Sequence, residues 1–95
     1  MTAEVLLSGY LICVNADEAD CVERLLPRHL DLTRAELGCL SFVVDRTDDP
    51  LVWRVDERFV DEAAFAFHQQ RVANSEWGRA TADIQRSYAV TIGER

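Results

Sequence analysis

Val5-Leu6-Leu7-Ser8-Gly9-Tyr10-Leu11-Ile12-Cys13-Val14 is apolar at odd and even positions alike. A run of this kind is either a strand buried on both faces or a short buried helix. Val5, Ile12 and Val14 are β-branched and Tyr10 is aromatic, which favours the strand. A strand with no polar face must be covered twice, and that requirement shapes the reading of the rest of the chain.

Immediately after it, Asn15 with Glu18 three residues on makes a capping-box-like helix start. Asp17, Glu18 and Asp20 suit the positive end of a helix dipole. Val22, Leu25, Leu26, His29 and Leu32 recur at helical spacing as the buried stripe. Pro27 interrupts the pattern and predicts a kink, because proline lacks the backbone donor and crowds the preceding turn. Gly38 is a stop signal. Cys39 to Arg46 reads as the second strand, and Thr47-Asp48-Asp49-Pro50 as a turn. Leu51 to Phe59 alternates cleanly as the third strand. Leu51, Trp53, Val55, Glu57 and Phe59 fall on one side; Val52, Arg54, Asp56 and Arg58 fall on the other. Asp61 caps a second helix carrying Ala64, Phe65 and His68 on one face. Ser75 caps a short further helix through Trp77, and Ile84 to Ile92 is the last strand, with Arg86, Tyr88, Val90 and Ile92 on one face.

The order is βαββαβ, so the fold class is α+β, with a ferredoxin-like four-stranded antiparallel sheet and helices on one face only. The open face then needs a cover, and a second copy of the chain is the simplest one. Arg54, Asp56 and Arg58 run against this, since they make that side of the third strand charged. They are expected at the rim of such an interface or paired across it.

The 95 residues suffice for one domain spanning 1–95. A chain this short gains much from oligomerising. Hydrophobic residues make up 48%, which argues against disorder. The formal charge of −7 makes a nucleic-acid partner unexpected, because phosphate contacts need clustered cations. All ten basic residues are arginine, so neither a P-loop lysine nor a Schiff-base lysine is available. Cys13, Cys21 and Cys39 are an odd set without zinc spacing and read as small apolar residues in a reducing cytoplasm. No apolar run approaches the ~20 residues of a membrane span, and the first residues carry no signal-peptide pattern. The glycines are scattered, so no dinucleotide fingerprint exists.

Three segments carry a resemblance. They are Arg34-Ala35-Glu36-Leu37-Gly38-Cys39-Leu40-Ser41-Phe42, Trp53-Arg54-Val55-Asp56-Glu57-Arg58-Phe59, and Asp61-Glu62-Ala63-Ala64-Phe65-Ala66-Phe67-His68 followed by Ser75-Glu76-Trp77. Together they resemble the antibiotic biosynthesis monooxygenase family, dimeric α+β barrels that include small quinol monooxygenases. Leu37 stands where proline is common in that family. The resemblance covers nearly the whole chain. It implies a ferredoxin-like homodimer and, for some members, oxygenation of aromatic or quinol substrates without flavin or metal. Other members degrade haem with a late-helix histidine as iron ligand; Trp77-Gly78-Arg79-Ala80-Thr81 has none, so haem is not expected here.

Cofactor-free oxygenation asks little of a protein: a base, a dry pocket and shape selection. Histidine suits the base role because its free pKa lies near neutrality. His68, in the family-like motif, is the candidate catalytic base; a structural histidine bonded to Glu57 is the alternative. His29 reads as a packing or surface residue. Glu57 is the lone charge on the apolar side of the third strand, so it needs a partner. It either orients His68 or pairs with an arginine. Arg71 shares the His68 helix face and either holds an anionic substrate or pairs with Glu57. Trp53, Trp77, Phe42, Phe65 and Tyr88 are core residues or the walls of a site for a small aromatic molecule. Neither a metal nor a cofactor is expected. A cofactor-independent monooxygenase is therefore the leading expectation, and a non-catalytic dimeric module that binds a small ligand is the alternative.

Overall fold

A computed structural model describes residues 3–94. In chain order the elements are β1 (Ala3–Ile12), α1 (Ala16–Arg34), β2 (Cys39–Arg46), β3 (Val52–Phe59), α2 (Glu62–Ala73), α3 (Glu76–Ala80) and β4 (Gln85–Glu94). All strand pairings are antiparallel, and the order across the sheet is β2-β3-β1-β4. This is the ferredoxin-like arrangement expected from the βαββαβ order. The long apolar run is the central strand β1, paired on both sides. Its strand ends at Ile12, and Cys13 and Val14 lead into the cap of α1.

Local signals set the helix starts. The Asn15 side chain accepts from the Glu18 backbone N–H at 2.9 Å. The Glu18 carboxylate accepts from the Val14 N–H at 2.9 Å. Asp61 caps α2 by accepting from Ala64 N–H at 2.8 Å. Ser75 caps α3 by accepting from Gly78 N–H at 3.0 Å. Helix α1 runs through Pro27 without ending. Its buried stripe is Val22, Leu25, Leu26, His29 and Thr33. Leu32, expected in that stripe, is 38% exposed. At 3.6 residues per turn Thr33 lies about 20° from Val22 and Leu32 about 80°, so the smaller residue holds the core position.

Between helices and sheet lies a core built from Leu7, Leu11, Val22, Leu26, Phe42, Val55, Trp77 and Ile84, among others. The helix-facing side of β3 carries Trp53, Val55, Glu57 and Phe59, all buried. On the opposite side β1 is less apolar than its sequence suggests. Ser8 donates to Asp56 at 2.8 Å, and Glu4 pairs with Arg58 at 2.6 Å. Arg54 binds Asp56 at 3.0 Å and lies over the Tyr10 ring at 5.2 Å. The charged stripe on β3 is thus paired within one chain. Around it, Tyr10 and Val43 remain partly exposed. At the sheet edge Val90 and Ile92 are half exposed. No helix among the described residues is long and apolar enough to cross a membrane.

Candidate active site

His68 follows Phe65 by three positions on the inner face of α2, and only 3% of its side chain is exposed. Its Nδ1 lies 3.0 Å from Oε2 of Glu36. The same Glu36 oxygen accepts from Arg71 Nε at 2.6 Å, and Arg71 Nη2 donates to Thr33 Oγ1 at 2.8 Å. Glu36 therefore bridges the two residues that share one face of α2. Its place in the connection after α1 is made possible by Gly38. A Cβ at Gly38 would lie 2.3 Å from Cβ of Ala64, one turn before His68 on the same helix. Only a glycine lets this connection approach α2 so closely.

A carboxylate acceptor at Nδ1 fixes the tautomer: the neutral ring carries its hydrogen on Nδ1 and its lone pair on Nε2. Nε2 lies 3.8 Å from Oε1 of Glu57, too far for a hydrogen bond. Burial pushes the His68 pKa below its ordinary value, while the Glu36 hydrogen bond and charge pull it back up. Burial, with the Glu36 charge adding to it, pushes the Glu57 pKa up to about 8; Arg86 opposes this only in part. Near neutral pH the two groups facing each other are thus a free imidazole lone pair and a neutral carboxyl.

Both groups line a cavity of about 280 Å³ between helices and sheet. Phe42, Trp77 and Tyr88 form aromatic walls, and Leu7, Leu11, Val44 and Val55 form the floor. His29 is also here, buried and stacked on Trp77 with ring centres 4.3 Å apart and planes 4° from parallel. Burial, reinforced by the charges of His68, Arg71 and Arg86, pushes its pKa down to about 3. It is a neutral aromatic wall at any physiological pH. Burial likewise pushes the Tyr88 phenol up to about 12.

The residues singled out in the sequence divide accordingly. His68, Glu57, Phe42, Trp77 and Tyr88 meet at one cavity. Arg71 stands behind it, bonded to Glu36 and Thr33, and has no ion pair with Glu57 among the described residues. Trp53 lies elsewhere, beneath the Arg46 guanidinium at 4.6 Å, beside Leu26, Pro27 and Leu30. Phe65 packs on Phe59 at 5.5 Å and does not line the cavity. The carboxylate at Nδ1 is Glu36 at 3.0 Å, while Glu57, read in the sequence as either an orienting group or an arginine partner, faces Nε2 at 3.8 Å. His29 is a cavity wall, more deeply placed than a surface residue. Glu36 was visible only as part of a motif. The signal that could have found it is the pairing of His68 and Arg71 on one helix face, which calls for a common acid partner.

The family model described as antibiotic biosynthesis monooxygenase matches residues 11–80. Among solved structures, a Nitrosomonas europaea protein provisionally named an antibiotic biosynthesis monooxygenase is similar. It has 16% identity and a TM-score of 0.78, with 99% of this chain and 92% of that chain covered. Rv0793 from Mycobacterium tuberculosis has 23% identity and a TM-score of 0.69, covering 97% of this chain and 94% of that one. PA3566 from Pseudomonas aeruginosa has 22% identity and a TM-score of 0.69, covering 100% and 95%. At these identities the solved structures show a shared fold. No curated protein matches the chain.

Proposed function

The chain belongs to the antibiotic biosynthesis monooxygenase family, and from that premise we propose that it oxygenates a small phenol or hydroquinone with dioxygen, His68 serving as the base. The observation that carries this reading is the wiring of His68. Its Nδ1 is held by Glu36 at 3.0 Å, while the residue lines an aromatic-walled cavity of about 280 Å³. The carboxylate at Nδ1 orients the ring and stabilises the imidazolium that forms when Nε2 takes a proton. The substrate hydroxyl gives up that proton and becomes a phenolate. Its ring carbon then supplies the electrons to dioxygen. One oxygen atom ends in a new carbonyl and the other in water, so a phenol and dioxygen yield a quinone and water with no further reductant.

Phe42, Trp77, Tyr88 and the neutral His29 offer a planar ring flat and edge contacts. We place the working unit in the cytoplasm as a homodimer, with the open sheet faces of two copies packed together. The partly exposed Tyr10 and Val43, amid charges already paired within each chain, support that face as the contact. The three cysteines are free thiols, as a reducing compartment maintains them.

The test is oxygen uptake with a panel of naphthols and hydroquinones, using ¹⁸O₂ to separate oxygenation from simple quinol oxidation. On an active substrate His68→Ala should lose about 10²–10⁴-fold in kcat. An equal rate in wild type and His68→Ala removes the base role. Saturable ligand binding without label incorporation would instead establish a non-catalytic binding module.

A further inference from the structure

Glu57 is left without the task the sequence suggested for it, since Glu36 already orients His68. Its carboxyl is nonetheless placed expensively. It is 7% exposed, its Oε1 makes no hydrogen bond, and it has no arginine partner among the described residues. A buried carboxyl in that state is held as the neutral acid, because the charged form would lose its hydration without compensation. It lines the same cavity as His68, and Oε1 is 3.8 Å from Nε2. The titratable and charged groups around it are Glu36 before β2, Cys39 on β2, His68 on α2, and Arg86 and Tyr88 on β4. Arg86 is committed elsewhere: it donates to the Thr81 carbonyl at 2.7 Å, the Ile84 carbonyl at 2.9 Å and Thr81 Oγ1 at 2.8 Å.

The geometry points to Glu57 as the general acid of the reaction, the group that protonates the departing oxygen when the peroxide O–O bond breaks. This rests on the oxygenase reading of the same cavity. Oxygenation of a phenolate ring carbon gives a hydroperoxide on a carbon that still bears hydrogen; the proton held on His68 completes the hydroperoxide. His68 Nε2, again neutral, then removes that carbon-bound proton. The C–H electron pair becomes the second bond of the new carbonyl, and the O–O bond breaks. The leaving oxygen takes the Glu57 proton and departs as water. The imidazolium finally gives its proton to the water just formed, and that water passes one of its own to the Glu57 carboxylate, spanning the 3.8 Å between the two groups and restoring both. Dioxygen is the sole oxidant: four electrons leave the substrate, one oxygen atom enters it and one becomes water. Hydroxide is a poor leaving group, so an acid at this point is worth roughly 10²–10⁴-fold in that step.

The experiment compares wild type, Glu57→Gln and Glu57→Asp on an oxygen-consuming naphthol. Dioxygen consumed, carbonyl product and peroxide are measured from pH 6 to 9, and urea unfolding checks that each variant is folded. Gln has the shape of the neutral acid without its acidic proton. Glu57→Gln should keep consuming oxygen but yield about tenfold less product per dioxygen, with peroxide making up the difference. In wild type the product-to-oxygen ratio should fall as pH rises past 8, whereas in Glu57→Gln it should not change with pH. Glu57→Asp should restore part of the product yield and the pH dependence. Wild-type product ratios and pH dependence in Glu57→Gln would overturn the role, as would loss of oxygen uptake in a folded Glu57→Gln. If wild type consumes no oxygen with any phenol in the panel, the oxygenase reading itself fails and this inference falls with it.

Discussion

At the scale of single residues, the site is a set of buried titratable groups whose ordinary pKa values have been pulled apart. Glu57 rises to about 8 from 4.5, and His29 falls to about 3 from 6.5. Each makes stability depend on pH, in opposite directions. Folded Glu57 holds a proton that the unfolded chain releases, so its contribution is lost as pH rises from 4.5 towards 8. His29 binds a proton more readily when unfolded, so its contribution is lost as pH falls from 6.5 towards 3. His68, also lowered, acts in the same sense as His29. Between pH 4.5 and 6.5 the Glu57 and histidine slopes oppose each other. Between 6.5 and 8 only the Glu57 slope remains. Wild type should lose about 2 kcal/mol of unfolding free energy over that upper interval, at ~1.4 kcal/mol per pKa unit. Glu57→Gln should lose none of it. Urea midpoints measured at pH 6.5 and 8 decide this; equal losses in both proteins would mean Glu57 is already ionised at neutral pH.

At the scale of elements, the connection from α1 to β2 matters most. It delivers Glu36 to His68, and it can do so because Gly38 packs on Ala64. Gly38→Ala sets two methyl carbons 2.3 Å apart. The connection must then retreat from α2. We expect about 1–3 kcal/mol of destabilisation from this overpacking. A fall in activity should accompany it, because His68 loses its orienting carboxylate. Ala64→Gly in the same chain removes the clashing methyl and should recover much of both, less the ~1 kcal/mol that glycine costs inside a helix. A double-mutant cycle in urea reads the coupling directly; purely additive losses would disprove the packing argument. The helix starts at Asn15, Asp61 and Ser75 and the strand Cys39–Arg46 were legible in the sequence, because caps and alternation are local. The stripe of α1 was legible except at its end. There Leu32 looked like the better core residue, and helical geometry gave the place to Thr33.

For the whole molecule, one sheet face is packed by helices and the other is not. Its charges are neutralised in cis: Arg54 by Asp56, Arg58 by Glu4. Pairing within the chain lowers the cost of burying that face against a second copy, since no bare charge enters the contact. Sedimentation equilibrium should give twice the chain mass. Tyr10→Asp, which places a carboxylate on that face and removes the ring beneath Arg54, should shift the equilibrium to monomer with the far-ultraviolet dichroism retained. A wild-type monomer at micromolar concentration, or an unchanged dimer in the variant, would rule out this face as the contact.

The amino-acid order by itself determined the βαββαβ plan, the caps, the pairing faces of β3 and the gathering of His68 and Glu57 on inward-facing sides. Those follow from periodicity and local hydrogen bonding, which act over a few residues. Which carboxylate serves His68 was decided only in three dimensions. Glu36 and His68 are 32 positions apart, and no spacing rule connects a loop glutamate to a helix histidine. The same holds for the aromatic set: the sequence grouped Trp53, Phe65, Trp77, Phe42 and Tyr88 alike, but the sheet order and the position of α3 put Trp77, Phe42 and Tyr88 at the cavity and left Trp53 and Phe65 outside it. Val5 to Ile12 of the apolar run form the strand read in the sequence, at the centre of the sheet, and Cys13 and Val14 lie beyond its end. Its second face is partly polar, since Ser8 within the run and Glu4 just before it pair with Asp56 and Arg58 on β3.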